Sequence, residues 1–437
     1  MAVRRQGGAA PRMKILVLAS RSPWPPTMAD SMTVNRLLRF LAARGHDVHL
    51  ACFVEHAAEA DALERELGQH LASINTVIRK PWQARLGTFL RLPGAKPMQV
   101  DYYHSRAMKS TVERLVNEHE FDVCYTHLIR MAEYTRFLAL PKVIGMQISQ
   151  SLNLGRMYEV VKDPLRKLFY FIESRRVAPY EATVAEKYDY AMLCGQSDID
   201  EIRRRTPLAN AVVCPHGQNV PDEARLNPDA RDPHSIVITG VMSTYTNVDA
   251  ASWFAEDVFP RIRQRFPDAT FHIVGRNPQA SLQKLDDGKA IFVTGEVDDV
   301  YEWLCGKAVA VAPLRVAAGM QNKIIQAMAS HTPVVATSIA NEGVGGSHEE
   351  NILIADDAEA LANAVMRLFD DNTLYRRIGA EGRRFVQKYW TWDALFERLE
   401  RHLELAAVAR HPDSDENAGK AQSCEPVRQP ESLDSQR

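Results

Sequence analysis

Two series of alternating strand and helix signals, separated by one polar, proline-rich stretch, limit what this chain can fold into. The first opens on an uninterrupted apolar run at 15–19. A loop broken by Pro23, Pro25 and Pro26 follows. Val34, Leu37, Leu38 and Leu41 then recur at helical spacing and stop near Gly45. Residues 48–54 form the next apolar run. Strand, loop, helix, strand is a βαβ unit, and such units build parallel sheets. Further strands are predicted at 74–78, 122–126, 142–146, 189–193 and 211–214, with a long helical region over 163–188. Residues 216–234 read as a linker. Beyond it, strands are expected at 235–239, 270–274, 290–293, 308–311, 333–336 and 351–355. Helices are expected at 249–266, 321–330, 358–369 and 372–388. The strands are apolar without alternation, as when helices cover both faces of a sheet. The fold class is therefore α/β, with two Rossmann-like doubly wound domains at 13–215 and 235–390. Such a pair faces a cleft at the carboxyl ends of its strands. A last helix, over 391–410, carries an apolar stripe of Trp392, Leu395, Phe396 and Leu399 that needs a partner. It is expected to cross back to the first domain.

Composition narrows the class. A formal net charge of -2 over 437 residues gives no bulk electrostatic case for nucleic acid. Cys52, Cys124, Cys194, Cys214, Cys305 and Cys424 form no C-x-x-C pair, and the first four sit in or beside apolar runs. That usage fits a reducing cytosol and opposes a zinc site. No apolar stretch reaches the ~18 residues of a spanning helix. The arm at 1–12 is polar and basic, unlike a secretory signal, and is expected to be disordered or a start artefact ahead of Met13. The stretch 411–437, rich in Pro, Ser, Asp, Glu and Gln, is expected to be disordered.

Several phosphate and metal motifs are absent. There is no Walker-type phosphate loop, no G-x-G-x-x-G after the first strand and no H-E-x-x-H. One D-x-D occurs at Asp198–Ile199–Asp200, where Ser197 and Asp198 read as a helix N-cap with first-turn acids rather than a metal site.

The segment VAPLRVAAGMQNKIIQAMASHTPVVATSIANEG, 311–343, resembles the donor-binding region of family 4 glycosyltransferases. Pro313, Gly319, Lys323, Ala327, Met328, Ala329, Pro333 to Thr337, Glu342 and Gly343 fit in place. With Arg315, Gln321 and Asn322 it is closer still to bacterial sugar transferases of exopolysaccharide loci. Upstream, Gly240, Met242, Asn247, Asp249, Trp253, Phe254, Pro260 and Gly275 match the start of the same domain. The first domain contributes Pro25–Pro26 and Asp30. The resemblance covers about 13–405.

It implies the GT-B fold and a retaining, metal-independent hexosyltransferase. The donor would be a nucleotide sugar, bound as substrate with no cofactor. The acceptor would be a glycan or polyprenyl-linked glycan, in exopolysaccharide or cell-surface polysaccharide synthesis. The implied donor-binding set is Gly240, Asn247, Gly275, Gly319, Met320, Gln321, Asn322 and Gln326. Arg315, Lys323 and His127 are the candidate catalytic residues, and Asp30, Gln147 and Arg130 lie on the acceptor side. A glycine-containing loop leading into a helix N-terminus suits a diphosphate, and Arg315 and Lys323 add cations.

The chain departs from the family at telling places. The usual pair of acids falls at Ala318 and Gln326, the N-domain base at Gln147, and the first-loop glycine at Ala29. Residues 241–246 lack the basic residues of many relatives. These departures keep open a catalytically silent sugar-nucleotide-binding homologue. A nucleotide-sugar epimerase shares the architecture. Two basic–aromatic stretches, Arg79 to Lys96 and Lys162 to Arg176, are expected to touch an anionic surface. The protein would then be cytoplasmic and peripheral on the inner face of the cytoplasmic membrane.

Overall fold

The computed structural model describes residues 12–91, 94–161, 163–215, 217–226, 231–316 and 320–409. Almost all of the expected arm, the whole expected tail, and Lys162, His216, Ala318 and Gly319 lie outside them. Contacts divide the chain into two units. One takes residues up to Cys214 and resumes at Phe396; the other runs Pro215–Leu395.

The first unit is built on β1 (Lys14–Ala19), β2 (Asp47–Val54), β3 (Ser73–Ile78), β4 (Val123–His127), β5 (Lys142–Gln147), β6 (Tyr190–Leu193) and β7 (Ala211–Val213). Its order is β3-β2-β1-β4-β5-β6-β7 and every pairing is parallel. Ile15 to Leu18 and Leu50 to Cys52 are fully buried, which explains why neither strand alternates. The second unit has β8 (Asp232–Thr239), β9 (Thr270–Val274), β10 (Ile291–Gly295), β11 (Lys307–Ala312), β12 (Val334–Ala336) and β13 (Leu353–Ile354). Its order is β10-β9-β8-β11-β12-β13, again parallel throughout. Each sheet reverses its winding beside its first strand, and ligands of doubly wound folds bind at the carboxyl end of that reversal.

Three sequence expectations change. First, β8 begins at Asp232, inside the expected linker. Asp232 and His234 look like loop residues, but Asp232 pairs with Lys307 at 3.0 Å and His234 Nδ1 lies 2.8 Å from Asp268, so partners across the sheet carry their polarity. Second, the single helix expected over 249–266 is three segments: Tyr245–Trp253, a π turn at Phe254–Val258, and Phe259–Arg265. Pro260 lacks an N–H, and Phe259 N donates to Phe254 O, slipping the register by one residue. Third, the D-x-D helix Gln196–Arg203 is N-capped by Gly195, not Ser197. Asp198 is buried and accepts from Ser149 N at 2.8 Å. Among the described residues no three metal-ligating side chains cluster.

The last helix, Trp392–Val408, crosses back to the first unit from Phe396 on. Phe396 packs 5.5 Å from the Phe40 ring, and Leu399, Leu403 and Ala406 are buried. Buried Glu400 accepts from Arg44 Nη2 at 3.0 Å and lies 2.8 Å from His46 Nε2. Met13 N donates to His46 Nδ1, so the ring proton sits on Nε2 and points at the carboxylate.

Candidate functional site

In the second unit the chain ends of β8, β9 and β10 come together through glycines. Gly240 N donates to Val274 O at 3.1 Å and Gly275 N to Gly295 O at 3.0 Å. A Cβ on Gly275 would lie 1.7 Å from Gly240 O, and one on Gly240 would lie 2.6 Å from Asn247 Nδ2. No side chain fits at either position. Asn247, buried in the first turn of Tyr245–Trp253, donates to Val241 O at 3.0 Å. Its amide oxygen is thereby aimed at Lys323, whose ammonium donates to it at 2.8 Å and to Gln321 Oε1 at 3.3 Å.

Lys323 sits in the first turn of the helix Asn322–Ala329, behind β11 and the loop after it. Both acceptors are neutral amide oxygens, and among the described residues no carboxylate pairs with the lysine. Burial therefore brings its ammonium down from 10.5 to about 8. At neutral pH it remains charged, at the positive end of a helix. A desolvated cation with no counter-ion is a place for an anion.

The other sequence-derived residues divide. Gln321 is the N-cap of this helix, Asn322 accepts from Gln218 at 3.1 Å, and Met320 packs on the core of the second unit. Gln326 hydrogen-bonds the Tyr301 hydroxyl, which burial pushes up to about 12 and which donates to Asn219 O at 2.8 Å. Arg315 is half exposed and forks onto Asp249, its Nε at 3.0 Å from Oδ2, beside the Trp253 ring at 5.3 Å. Its charge is thus partly neutralised within the fold. The Asn247-x-Asp249 spacing puts both of those side chains near one helix end, but nothing in it points to Arg315.

In the first unit, His127 at the end of β4 is 2% exposed, with Nδ1 3.3 Å from Tyr125 Oη. Gln147 ends β5 at φ 70, a conformation costing a non-glycine residue about 1–3 kcal/mol, and its side chain accepts from Cys194 Sγ at 3.6 Å. Arg130 donates to Ser20 Oγ at 2.9 Å and to Asp30 Oδ2 at 2.8 Å. Arg79 stands apart from the surface expected of it, packed against Tyr102 and Tyr103, while Lys96 is exposed and paired with Glu133.

Two seven- and six-stranded parallel sheets, each wrapped by helices and joined by a returning C-terminal helix, define the two-Rossmann-domain GT-B fold. The structure of Anabaena HepE in complex with UDP has that fold, with a TM-score of 0.58 at 13% identity over 90% of this chain and 100% of that one. Residues 233–371 match the family model described as Glycosyl transferases group 1, and the chain is related to that family. An uncharacterized 44.6 kDa protein in the cps region of Klebsiella pneumoniae is 20% identical over 397 residues, 88% of this chain and 98% of that one. A phosphatidyl-myo-inositol mannosyltransferase of Mycobacterium leprae is 27% identical over 232 residues, half of this chain and 60% of that one.

Proposed function

We propose that this chain is a retaining glycosyltransferase that moves a sugar from a nucleotide-sugar donor to a glycan or lipid-linked glycan in cell-surface polysaccharide synthesis. The observation that carries the reading is Lys323, a half-buried cation held by two amide oxygens at the glycine-lined strand ends. The cps-region relative and the UDP-bound structure of the same fold support the pathway and the donor class.

The chemistry asks little of the protein beyond charge and position. The bond from the sugar's anomeric carbon to the diphosphate breaks, and the diphosphate takes the electron pair. The acceptor hydroxyl oxygen bonds to the same face of that carbon, and its proton passes to a diphosphate oxygen. Lys323 and the amino end of Asn322–Ala329 stabilise the growing negative charge. No protein base is needed at Gln147, and no metal is needed where a lysine and a helix end supply the positive field.

The acceptor side is assigned to the first unit, through Arg130 and Asp30. The helix Pro81–Arg91 exposes Trp82, Leu86, Phe89 and Leu90 beside Arg85 and Arg91. The first half of Pro164–Ala185 exposes Leu165, Leu168 and Phe169 with Arg166. Both fit peripheral contact with an anionic membrane. No helix among the described residues is long and apolar enough to cross one.

The test is product analysis with UDP-, GDP- and ADP-sugars, with and without lipid-linked or polysaccharide acceptors. Nucleoside diphosphate released only when acceptor is present supports the transferase. An altered sugar still joined to its nucleotide, formed without acceptor, assigns an epimerase. Binding without turnover on every pair assigns a silent homologue, the reading that Gln326 in place of a carboxylate favours.

A further inference from the structure

A second concentration of positive charge lies in the first unit, at the carboxyl ends of its strands. Arg21 follows β1, Arg79 follows β3 and Arg130 follows β4. Asp30 is the carboxylate they share. One of its oxygens, Oδ2, is 2.9 Å from Arg21 Nε and 2.8 Å from Arg130 Nη2, while the other accepts from Ser31 N at 3.0 Å. Asp30 is therefore occupied in holding two guanidinium groups.

Arg79 has no carboxylate partner among the described residues. Aromatic rings hold it instead. Its guanidinium carbon is 4.6 Å from the centroid of Tyr102, 4.5 Å from Tyr103 and 5.8 Å from Phe53. Arg130 stacks on the same Tyr103 ring at 4.9 Å. Arg79 Nε and Nη1 are both buried without a hydrogen-bond partner.

This geometry has a chemical meaning. Aromatic rings attract a guanidinium but offer its N–H groups no oxygen acceptor, so Nε and Nη1 stay unmatched among them. Buried N–H groups without acceptors are costly, and two arginines on one tyrosine repel each other. An oxyanion in the plane of Arg79 relieves both costs. Three guanidiniums and one carboxylate leave a surplus suited to a dianion, so a phosphate at about -1.5 to -2 fits better than a singly charged carboxylate. The place is also right, because ligands of doubly wound sheets bind at strand carboxyl ends.

We infer that Arg21, Arg79 and Arg130 form a phosphate-binding subsite that holds the phosphate or diphosphate of the acceptor. The inference rests on the assignment of the first unit to the acceptor. Tyr102 and Tyr103 act as positioning residues that orient the edge of Arg79.

Pyrophosphate titrated calorimetrically into the full chain tests it, with the donor region disabled by Lys323→Ala. Binding should persist in that variant. Adding Arg21→Gln or Arg79→Gln should weaken it about 10-fold or more each, the effect of a lost charge-assisted hydrogen bond. Arg79→Lys, which keeps the charge and loses the planar fork, should recover only part. Arg21 is half-exposed, so its variant reports even where an Arg79 variant melts early. Geranyl diphosphate and glycerol phosphate separate the sources. Tighter binding of the first points to a lipid-linked diphosphate, tighter binding of the second to a phosphorylated glycan or headgroup, and either supports the subsite. Absence of pyrophosphate heat in Lys323→Ala, indifference to both arginine changes, or binding of glucuronate in preference to phosphate overturns it. Nucleotide-sugar binding to the unaltered chain is measured alongside. Its loss strikes the donor assignment alone, and its presence with no pyrophosphate subsite strikes this inference alone.

Discussion

Replacing Lys323 by methionine should separate binding from folding. The ammonium falls from 10.5 to about 8 on burial, a cost of about 3 kcal/mol to the folded state at neutral pH. Its bonds to Asn247 and Gln321, made by a charged donor, return about 1.5 kcal/mol each and so roughly offset that cost. Lys323→Met should therefore leave stability at pH 7 within about 1 kcal/mol of wild type in urea titrations, where loss of a structural lysine would lower it further. The sign with pH follows. Between pH 8 and 10.5 the unfolded chain holds the proton that the folded chain releases, so the penalty is full below 8 and fades as pH rises through that window. The wild type should gain on Lys323→Met across it. Ligand binding runs the other way. Whichever of UDP, GDP and ADP the wild type binds should bind Lys323→Met about 10- to 150-fold more weakly, from about 1.5–3 kcal/mol for a charge-assisted bond. Wild-type affinity should be flat below pH 8 and fall above it. Calorimetry at pH 7 and 9.5 measures both. Equal affinity in wild type and variant, or a flat profile with a sharp loss of stability in Lys323→Met, refutes the assignment.

Other consequences are as direct. Gly275→Ala should lower stability by about 3 kcal/mol or more, because its methyl would meet Gly240 O at 1.7 Å, and a melting curve like wild type would count against the strand-end crossing. Glu400→Gln should cost about 2–3 kcal/mol in denaturant titration by breaking the buried contact with Arg44 and His46; no change would mean the last helix is held by its apolar stripe alone. Gln326→Glu should tighten nucleotide-sugar binding or raise transfer, since a carboxylate accepts two ribose hydroxyls better than an amide, and weaker binding would place the ribose elsewhere. In flotation assays the chain should follow anionic and not neutral vesicles and detach as salt rises; equal recovery with both would remove the membrane contact.

The sequence by itself determined the architecture. Apolar runs without alternation, each followed by a helix-period segment, leave few options but parallel sheets covered on both faces, and the order of residues 311–343 carries the resemblance to a donor-binding region. Lys323 was legible there, and Gly240, Gly275 and Asn247 in the segment 240–278. Tertiary structure alone decided how charges are spent. Arg315 and Asp249 are 66 residues apart, and Arg79 and Tyr103 sit on separate elements, so spacing along the chain carries no sign that one cation is paired and another left among rings. Desolvation has the same origin. Lys323 looks in sequence like any helix-opening lysine, and only its desolvation on folding lowers its proton affinity. His127 and Gln147 stand at strand ends where chemistry is expected, but the depth of one and the strained backbone of the other arise from neighbours that meet only on folding. Local pattern fixes which elements form, because it acts within a few residues. Burial, pairing and charge are sums over groups distant in the chain, and only the folded molecule performs them.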